Sequence, residues 1–359
     1  MAGLAGLRSR AAASKVIFSG IQPTGVPHLG NYAGALRQWV SLQNEEPVTT
    51  SLIYSVVDLH AITTAQPRES LKQWRTEALA SLLAIGLDPD RCTIFHQSSV
   101  PAHAELMWIL SCTASVGYLS RMTQWKSKLN LAESSSIEEK KVGGQLKLGL
   151  FSYPVLQAAD ILVHRATHVP VGQDQQQHLE FARECVTNFN SAYGKHLVAP
   201  VTLCAPISRV MSLTDPTAKM SKSHKAERSR ILLTDGPDQI RKKIASALTD
   251  SQAGIAYDPA NRPGISNLLD ILSIFDTRTR SSSELASDYS DLSARQLKDM
   301  VSDVVITGLA GFRQRYQELL GSRRDFLDKV EADGAAKARR SAAETMSKVR
   351  EAIGLAGAS

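Results

Sequence analysis

The chain is short of the features that place many sequences quickly. Its four cysteines, at 92, 112, 185 and 204, include no C-x-x-C pair. Neither a zinc site nor a disulfide framework is supported, and the four read as small buried hydrophobes of a reducing compartment. No apolar run approaches the ~20 residues of a membrane helix. There is no G-x-x-x-x-G-K-S/T loop and no G-x-G-x-x-G fingerprint, so a P-loop kinase and a dinucleotide-dependent dehydrogenase both lose support. Internal repeats and low-complexity tracts are missing too. Acidic residues are absent before Glu45.

That last absence gives the N-terminus its character. Met1 to Ser14 is small and aliphatic, with serines and the basic pair Arg8 and Arg10. This is the composition of a short mitochondrial presequence, and a disordered tail is the plainer alternative. The rest reads as a globular protein, 43% hydrophobic and 21% charged, long enough for two domains. A net charge of +6 permits a nucleic-acid partner without requiring one.

The informative stretch runs from Val16 to Asn31. Val16 to Phe18 suits a buried strand, Gly20 and Gly25 free the backbone for close ligand approach, and from Leu29 the apolar residues Leu29, Ala33, Leu36 and Val40 recur at helical spacing. A loop feeding a helix N-terminus offers unpaired N–H groups to phosphate. Further strands are expected at Ser51–Val57, Thr93–Gln97 and Thr167–Val171, separated by helical segments, which argues for a parallel α/β sheet. Ligands in such sheets sit off the carboxyl ends of strands, which makes Asp58 and His60 candidate site residues. Trp74 reads as core. The carboxylate of Asp160, inside the apolar helical run from Tyr153 to Leu162, must find donors if it is buried. From about residue 234 the strand-like runs stop and only helical spacing remains, with five basic residues between Lys337 and Arg350.

Two motifs carry a family resemblance. Gly20-x-Gln22-Pro23-Thr24-Gly25-x-x-His28-Leu29-Gly30-Asn31 resembles the first signature of class I aminoacyl-tRNA synthetases, in the form shared by the tryptophanyl and tyrosyl enzymes. Lys219-Met220-Ser221-Lys222-Ser223 matches the second, in the right order. The resemblance implies a Rossmann-like parallel sheet plus a C-terminal all-helical domain. It divides the chain into a targeting segment (1–14), a catalytic nucleotide-binding domain (15–233) with a short connecting insertion (about 120–152), and a helical domain (234–359) reading the tRNA anticodon region through the Lys337 to Arg350 face. Residues 61–152 already hold a strand and helices, leaving no room for an editing domain.

The same resemblance implies roles. Lys219, Lys222, His28 and Gln22 would serve catalysis. Gln22, Pro23, Thr24, Gly30, Asn31, Gly172, Gln173, Asp174, Val210, Lys219, Met220, Ser221, Lys222 and Ser223 would bind ATP, which arrives with Mg²⁺ and without a dedicated metal site. One of Lys126 and Lys128 would approach the phosphates. For the amino acid, Asp160 would accept from the indole N–H, within a pocket of Phe18, His60, Tyr153, Gln157, Val169, Val171 and Gln175. Two positions depart from the bacterial tryptophanyl pattern: Gln157 replaces a methionine and Gln173 a glutamate. The tyrosyl branch usually has Gly-Ser-Asp-Gln where this chain has Gly172-Gln173-Asp174-Gln175. The resemblance therefore implies activation of tryptophan by ATP and transfer to tRNA(Trp), in a homodimer of the mitochondrial matrix. A tyrosyl enzyme, an adenylyl transferase and a catalytically inert RNA-binding descendant are the rival readings.

Overall fold

The computed structural model describes residues 15–129, 131, 132, 134, 137, 139, 144–172, 175–204, 209–222 and 224–357. The expected targeting segment, Gln173, Asp174 and Ser223 lie outside the described residues. Five strands form one parallel sheet in the order β3-β2-β1-β4-β5: β1 (Val16–Ile21), β2 (Ser51–Val56), β3 (Cys92–His96), β4 (His168–Val171) and β5 (Val201–Cys204). The expected strands are all present, three of them within one residue of their expected bounds, and β1 runs three residues past Phe18 to Ile21. β1 is central because Ile17 and Phe18 are buried on opposite faces, each feeding a different half of the core. Strand order reverses between β1 and β4, the point at which a doubly wound sheet opens a ligand crevice.

The helices are α1 (Arg37–Glu45), α2 (Asp58–Ala61), α3 (Arg68–Ala84), α4 (Ala102–Ser111), α5 (Val116–Arg121), α6 (Gln124–Lys128), α7 (Leu148–Leu162) and α8 (Gln176–Tyr193). Beyond the sheet lie α9 (Pro237–Ala245), α10 (Pro263–Ile274), α11 (Ser282–Asp288), α12 (Ala294–Leu320) and α13 (Arg324–Ala352). Between α4 and α5 the chain leaves the helix at 112–115, where Ser115 caps α5 by accepting from the Tyr118 N–H. Trp74 is half-buried rather than core, with its indole beside the Gly25 turn. None of the described helices is long and apolar enough to cross a membrane.

The helical part does not stand alone. One apolar cluster runs continuously from Ile17, Leu29 and Leu36 to Ile240, Leu268 and Val301, so the sheet and α9–α12 share a core. The last helix departs further from expectation. α13 returns and packs along β3, because Gly334, Ala335, Ala338 and Ala342 give it a seam of small residues. A Cβ on Gly334 would lie 1.8 Å from the Ile94 carbonyl oxygen.

Polar contacts fix this seating. Lys337 Nζ donates to the Pro89 carbonyl at 2.9 Å, Arg339 Nε to the Ser99 carbonyl at 3.0 Å, and Arg350 forms a bidentate pair with Glu105 at 2.7 and 2.5 Å. Three of the five cations expected to form a tRNA-reading face thus bind the catalytic half instead. Sequence spacing cannot distinguish a solvated basic face from one whose stems cross a neighbouring element. Gly334→Ala is expected to lower stability by about 1–3 kcal/mol through overpacking against β3, measured by urea unfolding.

Candidate active site

The crevice at the β1/β4 switch point is a cavity of about 1040 Å³. Its walls come from the carboxyl ends of β1 and β4, from α7, and from residues 209–222. Backbone pairing assembles them. Leu29 N–H donates to the Ile231 carbonyl at 2.8 Å and Leu233 N–H to that of Pro27 at 3.0 Å, so the chain after the second motif runs antiparallel to the first. Residues 210–220 fold as a tight hairpin, with Met220 N–H on the Val210 carbonyl at 3.1 Å. Asn267 of α10 clamps the hairpin, accepting from Met211 N–H at 2.8 Å and donating to the Met211 carbonyl at 3.1 Å. The helical part therefore holds the second motif against the first.

In the first motif, His28 and Asn31 cap one another. Asn31 N–H donates to His28 Nδ1 at 3.3 Å, and His28 N–H donates to Asn31 Oδ1 at 3.1 Å. With Nδ1 accepting, the ring proton sits on Nε2. Burial, reinforced by Lys222, Arg230 and Lys219, lowers the His28 pKa to about 3, so the ring is a neutral donor across the working pH range. Asn31 spends its carbonyl oxygen on the cap and keeps its NH₂ as a donor. Gly30 is required by space, since a Cβ there would lie 3.0 Å from the His28 ring. Gly25 is required by conformation, at φ +98°. A π-helical turn follows at Tyr32–Leu36 and sets Gly34 and Ala35 in the cavity wall.

Lys222 joins the two motifs. Its Nζ donates to the Gly25 carbonyl at 2.6 Å and lies 3.5 Å from Thr24 Oγ1. Burial lowers its pKa to about 8, against the opposing pull of Glu77 and with help from Arg230. Lysine serves only while charged, so kcat/KM for ATP should fall as pH rises through about 8. Bound polyphosphate favours the ammonium, so the corresponding fall in kcat should come at higher pH. Pyrophosphate-exchange rates from pH 6.5 to 10 check both limbs.

At the amino-acid end, Asp160 is 1% exposed and receives three donors: Gln97 Nε2 at 2.6 Å and His103 Nδ1 at 2.7 Å on Oδ1, and His60 Nε2 at 2.8 Å on Oδ2. Burial alone would raise its pKa, but hydrogen bonds from His103 and His60 hold it at about 2. A carboxylate has about four acceptor sites. Among the described residues three are filled, which leaves one for a donor in the cavity. Opposite, His178 Nδ1 donates to Gln175 Oε1 at 2.8 Å, and the Tyr153 hydroxyl donates to His178 Nε2 at 3.2 Å. Gln157 Nε2 also donates to Gln175 Oε1, at 3.3 Å, a contact that methionine cannot make. Lys128 Nζ lies 4.7 Å from the Tyr153 ring centroid.

The cavity brings together Phe18, Gln22, His28, Gly30, Asn31, His60, Tyr153, Gln157, Asp160, Val169, Val171, Gly172, Gln175, Val210, Lys219, Met220, Ser221 and Lys222. Of the two lysines left open, Lys128 lines it, while Lys126 is buried outside its wall. Pro23 and Thr24 are not in the wall: Pro23 is buried beneath the turn and Thr24 is exposed beside Lys222. Asp58 is turned away, accepting from Ser98 N–H at 2.9 Å and Ser98 Oγ at 2.5 Å and pairing with Arg75 at 2.8 Å. The strand-end rule located its backbone and could not fix its side chain.

Sequence reasoning missed Gln97, His103 and Arg209, and gave His178 no role. The first two meet Asp160 only through the fold, although His103 lies in the first turn of an apolar helix, where an imidazole needs a partner. Among the described residues no group of three His, Cys, Asp or Glu side chains is placed to hold a metal.

A sheet-end crevice that joins a glycine-rich first motif to a lysine loop defines a nucleotide-dependent synthetase. Residues 11–310 match the family of class I tRNA synthetases for tryptophan and tyrosine, and the chain belongs to that family. Its similarity lies with the tryptophan members. It is 45% identical over 346 residues to the mitochondrial tryptophan–tRNA ligase of Saccharomyces cerevisiae, spanning 94% of this chain and 90% of that one. It is 42% identical over 362 residues to the mitochondrial tryptophan–tRNA ligase of Schizosaccharomyces pombe, spanning 99% of both. The crystal structure of Campylobacter jejuni tryptophanyl-tRNA synthetase with ADP and tryptophan superposes with a TM-score of 0.76 at 33% identity, covering 95% of this chain and all of that one.

Proposed function

We infer that the chain is a mitochondrial tryptophan–tRNA ligase, which activates tryptophan with ATP and transfers it to tRNA(Trp). The observation that carries this reading is the placement of one ionised, fully buried acceptor, Asp160, in the wall of a cavity that His28, Lys219 and Lys222 also line. Tryptophan's side chain has one donor and no acceptor. Tyrosine's phenol both donates and accepts, and Asp160 has no donor to return.

In the reaction the amino-acid carboxylate attacks the α-phosphate of ATP and pyrophosphate leaves. His28 Nε2–H, the Asn31 amide and the two motif lysines donate to the polyphosphate as its charge shifts toward the leaving group. Gly172 and Val210, in the cavity wall, are assigned to ribose and adenine, and Gln175, oriented by His178, to the tryptophan backbone. Mg²⁺ is assigned to the triphosphate, which brings it. The retention of His28, Lys219 and Lys222 within one cavity favours an active enzyme over an inert descendant.

The matrix is the assigned compartment, with residues 1–14 as the targeting segment. The catalytic and helical parts divide near residue 234, with α9–α12 facing the tRNA anticodon region and α13 returned to the catalytic half. A homodimer is supported by the exposed side chains of Trp108, Val116 and Leu148, carried on α4, α5 and α7, which pack together. Pyrophosphate exchange with each amino acid in turn tests the reading. Exchange is expected with tryptophan; exchange driven by tyrosine and not by tryptophan would overturn it.

A further inference from the structure

Two buried histidines lie behind Asp160 that substrate binding does not use. His103, on α4, is fully buried, and His164, just past the end of α7, is 3% exposed. His103 Nδ1 donates to Asp160 Oδ1 at 2.7 Å, the His103 and His164 Nε2 atoms are 3.3 Å apart, and His164 Nδ1 lies 3.1 Å from Ser341 Oγ on α13. The chain thus runs from the amino-acid site to the returning C-terminal helix.

One proton on each ring satisfies all three contacts in a single direction. Ser341 O–H donates to His164 Nδ1, His164 Nε2–H to His103 Nε2, and His103 Nδ1–H to the carboxylate. The direction starts at Asp160, which can only accept: His103 donates through Nδ1 and accepts at Nε2, so His164 donates through Nε2 and accepts at Nδ1 from the Ser341 hydroxyl, which can act either way. Burial and the nearby His103 hold His164 well below the ordinary histidine range, so it stays neutral. Arg165, at φ 52°, ends α7 in the left-handed region and is anchored to the His196 carbonyl at 2.7 Å, which turns His164 inward. The His164 ring also stacks on Phe18, with centroids 5.8 Å apart and planes at 21°. Phe18 is itself a wall of the cavity. His164 therefore touches the amino-acid site twice, through a ring and through a relay.

We propose that Ser341, His164 and His103 are positioning residues that lock the proton direction at Asp160, so that its last acceptor site selects an indole N–H only while α13 is seated. The proposal rests on the tryptophan reading above. Without Ser341, the His164 proton is free to move to Nδ1. Two unprotonated nitrogens then face each other across 3.3 Å, and His103 loses the partner that orients it toward Asp160.

The test uses full-length enzyme and two amino acids, tryptophan and its benzothienyl analogue, which carries sulfur where the indole has N–H. Ser341→Ala is expected to raise KM for tryptophan and lower discrimination against the analogue by about 3–10-fold. Ser341→Thr, which keeps the hydroxyl, restores both. His164→Phe keeps the ring against Phe18 and is expected to lower discrimination by about 10–30-fold, with KM for ATP within about twofold of the parent.

A purely structural role would change the yield of active enzyme and leave discrimination unmoved. If the unaltered enzyme exchanges with tryptophan but Ser341→Ala and His164→Phe discriminate as it does, the relay is overturned alone. If the unaltered enzyme does not exchange with tryptophan, the function reading falls and the relay with it. Should His164→Phe fail to fold, Ser341→Ala against Ser341→Thr decides.

Discussion

Asp160→Asn should reduce kcat/KM for tryptophan by about 10²–10³-fold while leaving ATP binding nearly unchanged. The substitution is isosteric, so its effect comes from hydrogen-bond polarity. Asparagine keeps one acceptor oxygen and puts an NH₂ where the second oxygen was. Toward Gln97 and His103, that NH₂ meets two donors at 2.6 and 2.7 Å; toward His60, it meets one at 2.8 Å and faces the indole N–H with a donor. Either orientation sets donor against donor in a buried site, where an unsatisfied group costs about 1–3 kcal/mol. Removing the charge also strips the histidines of their partner, so stability should fall by about 2–4 kcal/mol in urea unfolding. Pyrophosphate exchange gives the kinetic result. Unaltered kcat and KM for tryptophan would end the assignment of Asp160 as the indole acceptor.

Lys222→Ala should lower the exchange kcat by about 10²–10³-fold, with ATP affinity changed less than about tenfold. In the free enzyme the ammonium is held by the Gly25 carbonyl and stands by Thr24, at the lip of the first motif. It is therefore positioned before substrate arrives, and its charge is used most when pyrophosphate separates. Lys222→Arg gives a second readout. A guanidinium stays protonated, so the fall in kcat/KM above about pH 8 should vanish even where the rate itself drops. Equal exchange rates for Lys222→Ala and the parent, measured at saturating ATP, would remove the lysine from the chemistry.

How much of this was legible in advance differs by residue. The glycines of the first motif were readable because their reasons are local, and the lysines of the second because their motif carries the family resemblance. A turn at φ +98° needs Gly25, and a phosphate needs cations. Strands β1 to β4 were readable from apolar runs bounded by turn residues. Asp58 and His60 show the limit: two residues apart at the end of one strand, one faces Ser98 and Arg75 and the other the cavity. Their side chains follow a one-turn helix, α2, which no periodicity announced.

The basic run on α13 shows the same limit at larger scale. Its charges suggested an RNA face, but the small residues on its other side let it lie against β3, where Lys337, Arg339 and Arg350 find carbonyls and a carboxylate. The sequence by itself determined that the chain is α/β and that a phosphate-binding turn opens it, since each depends on neighbouring residues alone, while the lysine loop was joined to that turn by the family resemblance. Only the tertiary structure decided that Asp160 has one acceptor left to offer, because the donors that fill the others come from positions 60, 97 and 103, on three elements that meet nowhere but in the fold.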